Sequence, residues 1–173
     1  GDSVYRKASY LAGKLGERMA SSQVTIIDDG TMPGGFGSAP FDDEGVKTRR
    51  NLVVDQGILN SYLLNSYTGR KLNMATTANA SRGLAGSPGV GTHNFYLQAG
   101  AESPEKIIAS VQNGFFVTDF IGHDVNVVTG DISRGASGMW IEHGELAYPV
   151  EEVTVARNLL DIFRNIEIGR AHV

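Results

Sequence analysis

The sequence predicts an α+β fold, mainly antiparallel and barrel-like, with helices on its flanks. Three observations predict it. Most apolar stretches are short and β-type, such as Asn51 to Val54, Phe115 to Phe120 and Gly138 to His143. The chain has 22 glycines in 173 residues, and they cluster as turn punctuation does. Helical signals are few and sit at the ends of strand-rich stretches.

Taken in order, Val4, Ala8, Leu11, Leu15 and Met19 recur at helical spacing, with Ser3 placed to cap, so a helix is expected from Val4 to Met19. A short buried strand from Val24 to Ile27 follows, stopped by Asp28, Asp29 and Gly30. Thr31 to Gly45 carries Pro33, Gly34, Gly35, Gly37 and Pro40 and can only be irregular. Asn51 to Val54 and Ile58 to Leu64 are β-type runs around Asp55-Gln56-Gly57, which supplies a glycine-containing hairpin turn. Tyr67 to Leu72 is expected to be a helical turn or short helix. Asn73 to Gly91, rich in Gly, Ala and Ser, is expected to be a long exposed loop.

His93 to Gln98 is a strand. Ser103-Pro104-Glu105 starts a helix, because serine caps and proline needs no N–H partner there. Its buried stripe is Ile107, Ile108 and Val111, and Asn113-Gly114 stops it. Phe115 to Phe120, Asp124 to Thr129, Gly138 to His143 and Glu145 to Val150 form one antiparallel sheet, the last two joined at Gly144, with Trp140 at least partly buried. Val153 to Ile166 closes the fold as a helix. One domain is expected over residues 1–166, with a tail at 167–173.

Hydrophobic residues at 41%, charged residues at 20% and a net charge of −4 describe an ordinary globular protein. Without a concentrated basic face, nucleic acid is disfavoured as a direct partner. No apolar run could span a bilayer and no secretory pattern opens the sequence, so no membrane and a cytoplasmic location are expected. Cysteine is absent, which excludes disulfides and thiolate ligands within these residues.

His93, His123, His143 and His172 show no metal-binding spacing, so no cofactor is expected in this segment. The acidic residues Asp28, Asp29, Asp42, Asp43 and Glu44 flank glycines, where carboxylates usually hydrogen-bond turn backbones. Pro33-Gly34-Gly35-Phe36-Gly37 lacks the lysine and hydroxyl of a phosphate loop. The run Ser133-Arg134-Gly135-Ala136-Ser137-Gly138 is expected to be a wide hairpin loop, or a place where another backbone approaches closely. Gly34, Gly35, Ser133, Arg134, Gly135 and Ser137 are therefore the candidate partner- or substrate-binding residues. No catalytic residue and no metal ligand is assigned.

Asp28-Asp29-Gly30-Thr31-Met32-Pro33-Gly34-Gly35, with Phe41-Asp42-Asp43-Glu44-Gly45-Val46, resembles a signature of the TldD/PmbA family. So do Gly57-Ile58-Leu59, Tyr67 to Leu72, Thr77 to Asn79, Val127 to Asp131, Ser133 to Ala136 and Tyr148 to Glu152. The resemblance runs from about Val4 to Ile166 and leans toward the PmbA (TldE) branch through Val4 to Ala8 and Gly130 to Glu152. It implies a subunit without catalytic zinc that pairs with a TldD-like subunit, or with itself, in trimming unfolded or leader-bearing peptides. Zinc is then expected in the TldD-type partner, whose branch carries H-E-x-x-x-H at a position that would precede Gly1 and a ligating cysteine at one beyond Val173. A catalytic member with that motif outside these residues is the alternative. A DNA gyrase-associated regulator, after the family's historical name, is opposed by the charge balance.

Overall fold

The computed structural model describes residues 1–122 and 125–167. These fall into two compact units, Gly1–Gln98 and Ala99–Val173. In the first, β1 (Ile26–Asp29) lies inside a four-stranded antiparallel sheet with order β3-β2-β1-β6, where β2 is Arg50–Asp55, β3 is Ile58–Leu59 and β6 is Asn94–Leu97. Ile27 pairs with Leu52 on one side and Tyr96 on the other, so its side chain is covered on both flanks. With Val24, Leu59, Tyr62 and Leu64 it forms the core.

The β2–β3 turn is Gln56-Gly57, with φ of 44° and 83°, the left-handed pair a two-residue hairpin requires. α2 (Ser66–Lys71) is held by a reciprocal cap: Asn65 Oδ1 accepts from Thr68 N at 2.8 Å and Thr68 Oγ1 accepts from Asn65 N at 3.1 Å.

Two strand bounds shift, since β1 includes Asp28 and Asp29 and β3 ends at Leu59 rather than Leu64, and two further expectations for this unit fail. The helix at Val4 to Met19 is only α1 (Asp2–Tyr5). Lys7, Gly13 and Gly16 take φ of 56°, 77° and 80°, each of which breaks a right-handed helix. The apolar residues are used as turns instead, with Tyr62 Oη donating to Leu11 O at 2.6 Å. The stretch Asn73 to Gly91 is not simply an exposed loop either. Thr77, Ala78, Asn79 and Ala80 are buried, and β4 (Ala80–Ser81) pairs with β5 (Gly89–Val90); Asn73, Ala75 and residues 81–87 are exposed.

The second unit is a three-stranded antiparallel sheet in the order β7-β8-β9: β7 is Asn113–Ile121, β8 is Asp131–Glu142 and β9 is Glu145–Asn158. His143-Gly144, with φ of 52° and 84°, makes the tight turn between β8 and β9. α3 (Pro104–Ser110) begins as expected, Ser103 Oγ accepting from Lys106 N. Trp140, in the central strand between Phe115 and Tyr148, is half-buried.

Two local expectations change here. Residues 127–129 form a turn closed by Asn126, and Val125 contributes one isolated bridge to Ile132, so no strand runs to Thr129; Asp124 lies outside the described residues. Val153 to Asn158 belongs to β9, and the closing helix is only α4 (Leu159–Arg164), capped by Asn158 Oδ1 accepting from Leu160 N at 3.0 Å. The alternating Val153 and Val155 suit a pleated strand, and β8 supplies the partner. Among the described residues no sheet closes on itself, so the fold is α+β and antiparallel without a barrel.

At the end of this sheet Asp131 accepts from Asn158 Nδ2 at 2.9 Å and from Thr129 Oγ1 at 2.7 Å. These bonds, Asn158's first, hold its carboxyl below the ordinary value. A depressed carboxylate stabilises the fold above its unfolded value of about 3.9 and loses that contribution as pH falls through the folded value. A carboxyl-carbon NMR titration is expected to place Asp131 below the ordinary aspartate value. Asn158→Ala is expected to raise it; an unchanged midpoint would refute this assignment.

Candidate functional site

The glycine loop after β1 is built by its neighbours. Asp29 Oδ1 accepts from Thr31 N at 2.8 Å and Thr31 Oγ1 at 2.7 Å, turning the chain out of the strand. Gly34 has φ of 71° and open space where a side chain would stand. Gly35 does not: a Cβ there would lie 2.7 Å from Asn94 Nδ2 and from Ser38 Oγ. Gly37 N donates to Asn94 Oδ1 at 2.9 Å. The loop is thus fastened to the start of β6, and of the two candidate glycines only Gly34 faces room for a visitor.

Of the acidic residues, Asp29 and Asp42 hold local turns, whereas Asp43 and Glu44 tie the loop to distant segments. Asp42 Oδ1 accepts from Glu44 N and Val46 N at 3.0 and 2.9 Å, and its Oδ2 from Ala80 N at 3.0 Å. Asp43 accepts from Arg82 N at 2.8 Å and Glu44 from Ser66 N at 2.8 Å.

Beneath them is a buried polar cluster that sequence reasoning did not assemble. Asp28, fully buried, accepts from His93 N through Oδ1 and from Asn79 Nδ2 through Oδ2, both at 2.7 Å. Asn79 Nδ2 also donates to Gly91 O at 3.0 Å, while its Oδ1 accepts from Thr77 Oγ1 at 2.7 Å and Asn51 Nδ2 at 3.2 Å. His93 Nε2 meets Ala78 O at 2.8 Å, which places the ring proton on Nε2 because a carbonyl only accepts. Ala78 is buried with φ of 58°, so side chains on both sides hold a strained peptide. The available signals were Asn51 at the head of an apolar run and the Thr77 to Asn79 motif.

The remaining candidates, Ser133, Arg134, Gly135 and Ser137, lie together on β8 in the second unit. They do not form a loop. Gly135 is paired on both edges, with Ile121 and Thr154, while Ser133 and Arg134 pair with β9 and Ser137 pairs with β7, so at Gly135 no foreign backbone can enter the sheet plane. Arg134 Nε donates to Gly122 O at 3.0 Å, and its guanidinium covers the Phe120 ring at 5.4 Å. Arg134 therefore shares a face with Ala136 and Phe120, while Ser133, Gly135 and Ser137 alternate to the other.

The unit's free edges are β7 and β9 among the described residues. Pro149 and the kink at Glu152, φ 58°, make β9 a poor template for pairing; β7 has nine residues and no proline.

A family model described as the PmbA/TldA metallopeptidase C-terminal domain matches residues 1–171. The chain belongs to that family. It is 40% identical over 166 residues to the metalloprotease PmbA of Escherichia coli O157:H7, covering 96% of this chain and 35% of that protein. Identity is 32% over 170 residues to a metalloprotease TldD homolog of Haemophilus influenzae, covering 97% and 35%. The crystal structure of TldE from Thermococcus kodakarensis superposes with a TM-score of 0.89 at 26% identity, over 98% of this chain and 39% of that one. The chain thus spans about a third of the length of the curated relatives it matches.

A metallopeptidase family implies a metal. The donors that these residues offer do not fit one: Asp28 and Asp42 are filled by N–H donors, and His93 Nε2 is committed to Ala78 O. Among the described residues no three His, Cys, Asp or Glu side chains converge. His123 and His172 lie outside them. No described helix is long and apolar enough to cross a membrane.

Proposed function

We propose that this chain is the assembly and peptide-handling domain of a PmbA-type subunit that acts without zinc of its own. Its partner is a TldD-like subunit carrying the metal, and the pair trims unfolded or leader-bearing peptides. For these residues one observation supports the reading: the motif's carboxylates and His93 are already engaged in fixing turns and the buried cluster, so their role here is structural rather than metal-binding. The higher identity to a protein named PmbA than to one named TldD supports the branch. The place for backbone recognition is the outer edge of β7, flanked by the exposed Phe116 and Phe120, rather than the Ser133 to Gly138 segment. Pairing there reads main chain and tolerates varied side chains, as a peptide-trimming enzyme requires.

The test mixes the full-length protein, a TldD-type partner and an unstructured peptide, and follows cleavage by mass spectrometry. Cleavage is expected only when both proteins are present, and EDTA is expected to stop it. Cleavage by this protein alone, also stopped by EDTA, would establish instead a catalytic member with its motif outside these residues.

A further inference from the structure

In the first unit, away from the glycine loop and the buried cluster, a groove of about 750 Å³ opens between α1, the turns that follow it and the end of α2. Its walls are apolar, built from Leu15, Tyr62, Leu72 and Met74. Its two charged lining residues are Lys7 and Lys71; no carboxylate lines it. Neither ammonium has an ion-pair partner among the described residues. Lys71 is nevertheless held in place: its Nζ stands 5.8 Å from the Tyr5 ring and 5.5 Å from the Tyr67 ring, and those rings meet edge to face at 6.1 Å. Two aromatic faces fix the cation without neutralising it.

A concave apolar surface of this size with a few placed polar groups is the usual form of a small-ligand site. Its charge selects the ligand. We propose that this groove binds a single carboxylate on an apolar body, the carboxylate between Lys7 and Lys71 and the body against Leu15, Leu72 and Met74. Two sources carry that chemistry: the free C-terminus of a peptide ending in an apolar residue, and an aliphatic acid. The site goes beyond the role proposed above and is read by binding alone, so either can fail without the other.

The experiment is calorimetric titration of the full-length protein with an N-acetylated tetrapeptide ending in leucine, with its C-terminal amide, and with octanoate. At least one carboxylate is expected to bind, and amidation of the peptide to weaken it about tenfold, the worth of a charge-assisted hydrogen bond. Whichever acid binds more tightly identifies the source. Lys71→Gln is expected to weaken binding by a similar factor. Lys7→Asn tests the same point without touching either ring, and asparagine accepts the φ of 56° found there. Equal binding of acid and amide, binding unchanged in both variants, or no binding of any ligand at millimolar concentration overturns the proposal.

Discussion

Asp28→Ala is expected to destabilise the first unit by about 2–6 kcal/mol, about 1–3 kcal/mol for each of the two buried donors it leaves unsatisfied. The carboxylate is fully buried and accepts two bonds of 2.7 Å, from His93 N and Asn79 Nδ2. Truncation strands both donors where water cannot easily follow. Asn79 then loses the bond that orients its amide, and Asn51, Thr77 and Gly91 lose theirs in turn. Asp28→Asn is the sharper variant. Its oxygen can serve only one donor, and its new N–H₂ must face the other, so a loss of about 1–3 kcal/mol is expected from an almost isosteric change. Urea unfolding at constant slope measures both. A loss under about 1 kcal/mol for the alanine variant would show that water takes the carboxylate's place.

Gly138→Ala is expected to cost about 2–4 kcal/mol, although alanine ordinarily favours a strand over glycine. A Cβ at Gly138 would lie 2.9 Å from the Phe116 carbonyl carbon and 3.0 Å from Val117 Cα, and nearer still to Phe116 O. These are backbone atoms at the irregularity between Val117 and Asp119, so β7 itself would have to move. Gly135→Ala is the control: its Cβ would sit 3.4 Å from Ile121 Cβ, a contact that a side chain can relieve. Its expected cost is within about 0.5 kcal/mol. Fluorescence of Trp140, half-buried two residues along the same strand, follows both transitions. Equal costs at the two glycines would show that β7 and β8 are loosely joined.

The candidate site was legible only in part, and the pattern of failure is physical. Asp29 and Asp42 act as turn formers, as their neighbours in sequence implied, because an aspartate reaching backbone two residues on needs no distant partner; Asp28, Asp43 and Glu44 instead bond to distant segments. Ser133 to Gly138 misled because small polar residues and glycines look like a loop wherever they occur. Here two long flanking strands supply the hydrogen bonds that loop composition does not forbid, and glycine at 138 lets β7 approach. His93, Asn79, Asn51 and Asp28 are dispersed over more than sixty residues of chain, so no local spacing could announce that they converge.

What the amino-acid sequence determined by itself is what short-range physics controls. The serine and proline that open α3, the left-handed pairs at Gln56-Gly57 and His143-Gly144, and the β-type composition of β2, β7 and the end of β8 from Gly138 are each set within a few residues, and the family follows from motifs of the same kind. Tertiary structure alone decided the rest. The helical spacing from Val4 to Met19 was overruled where Lys7, Gly13 and Gly16 adopt positive φ, while Leu11 and Met19 bond to Tyr62 and Gly57. Val153 to Asn158 joined a strand because β8 lay beside it. Asp28 was drawn out of water because Asn79 and His93 arrive from elsewhere in the chain to satisfy it. In each case a partner distant in sequence supplied a hydrogen bond or a covered surface worth more than the fraction of a kcal/mol per residue that local propensity contributes.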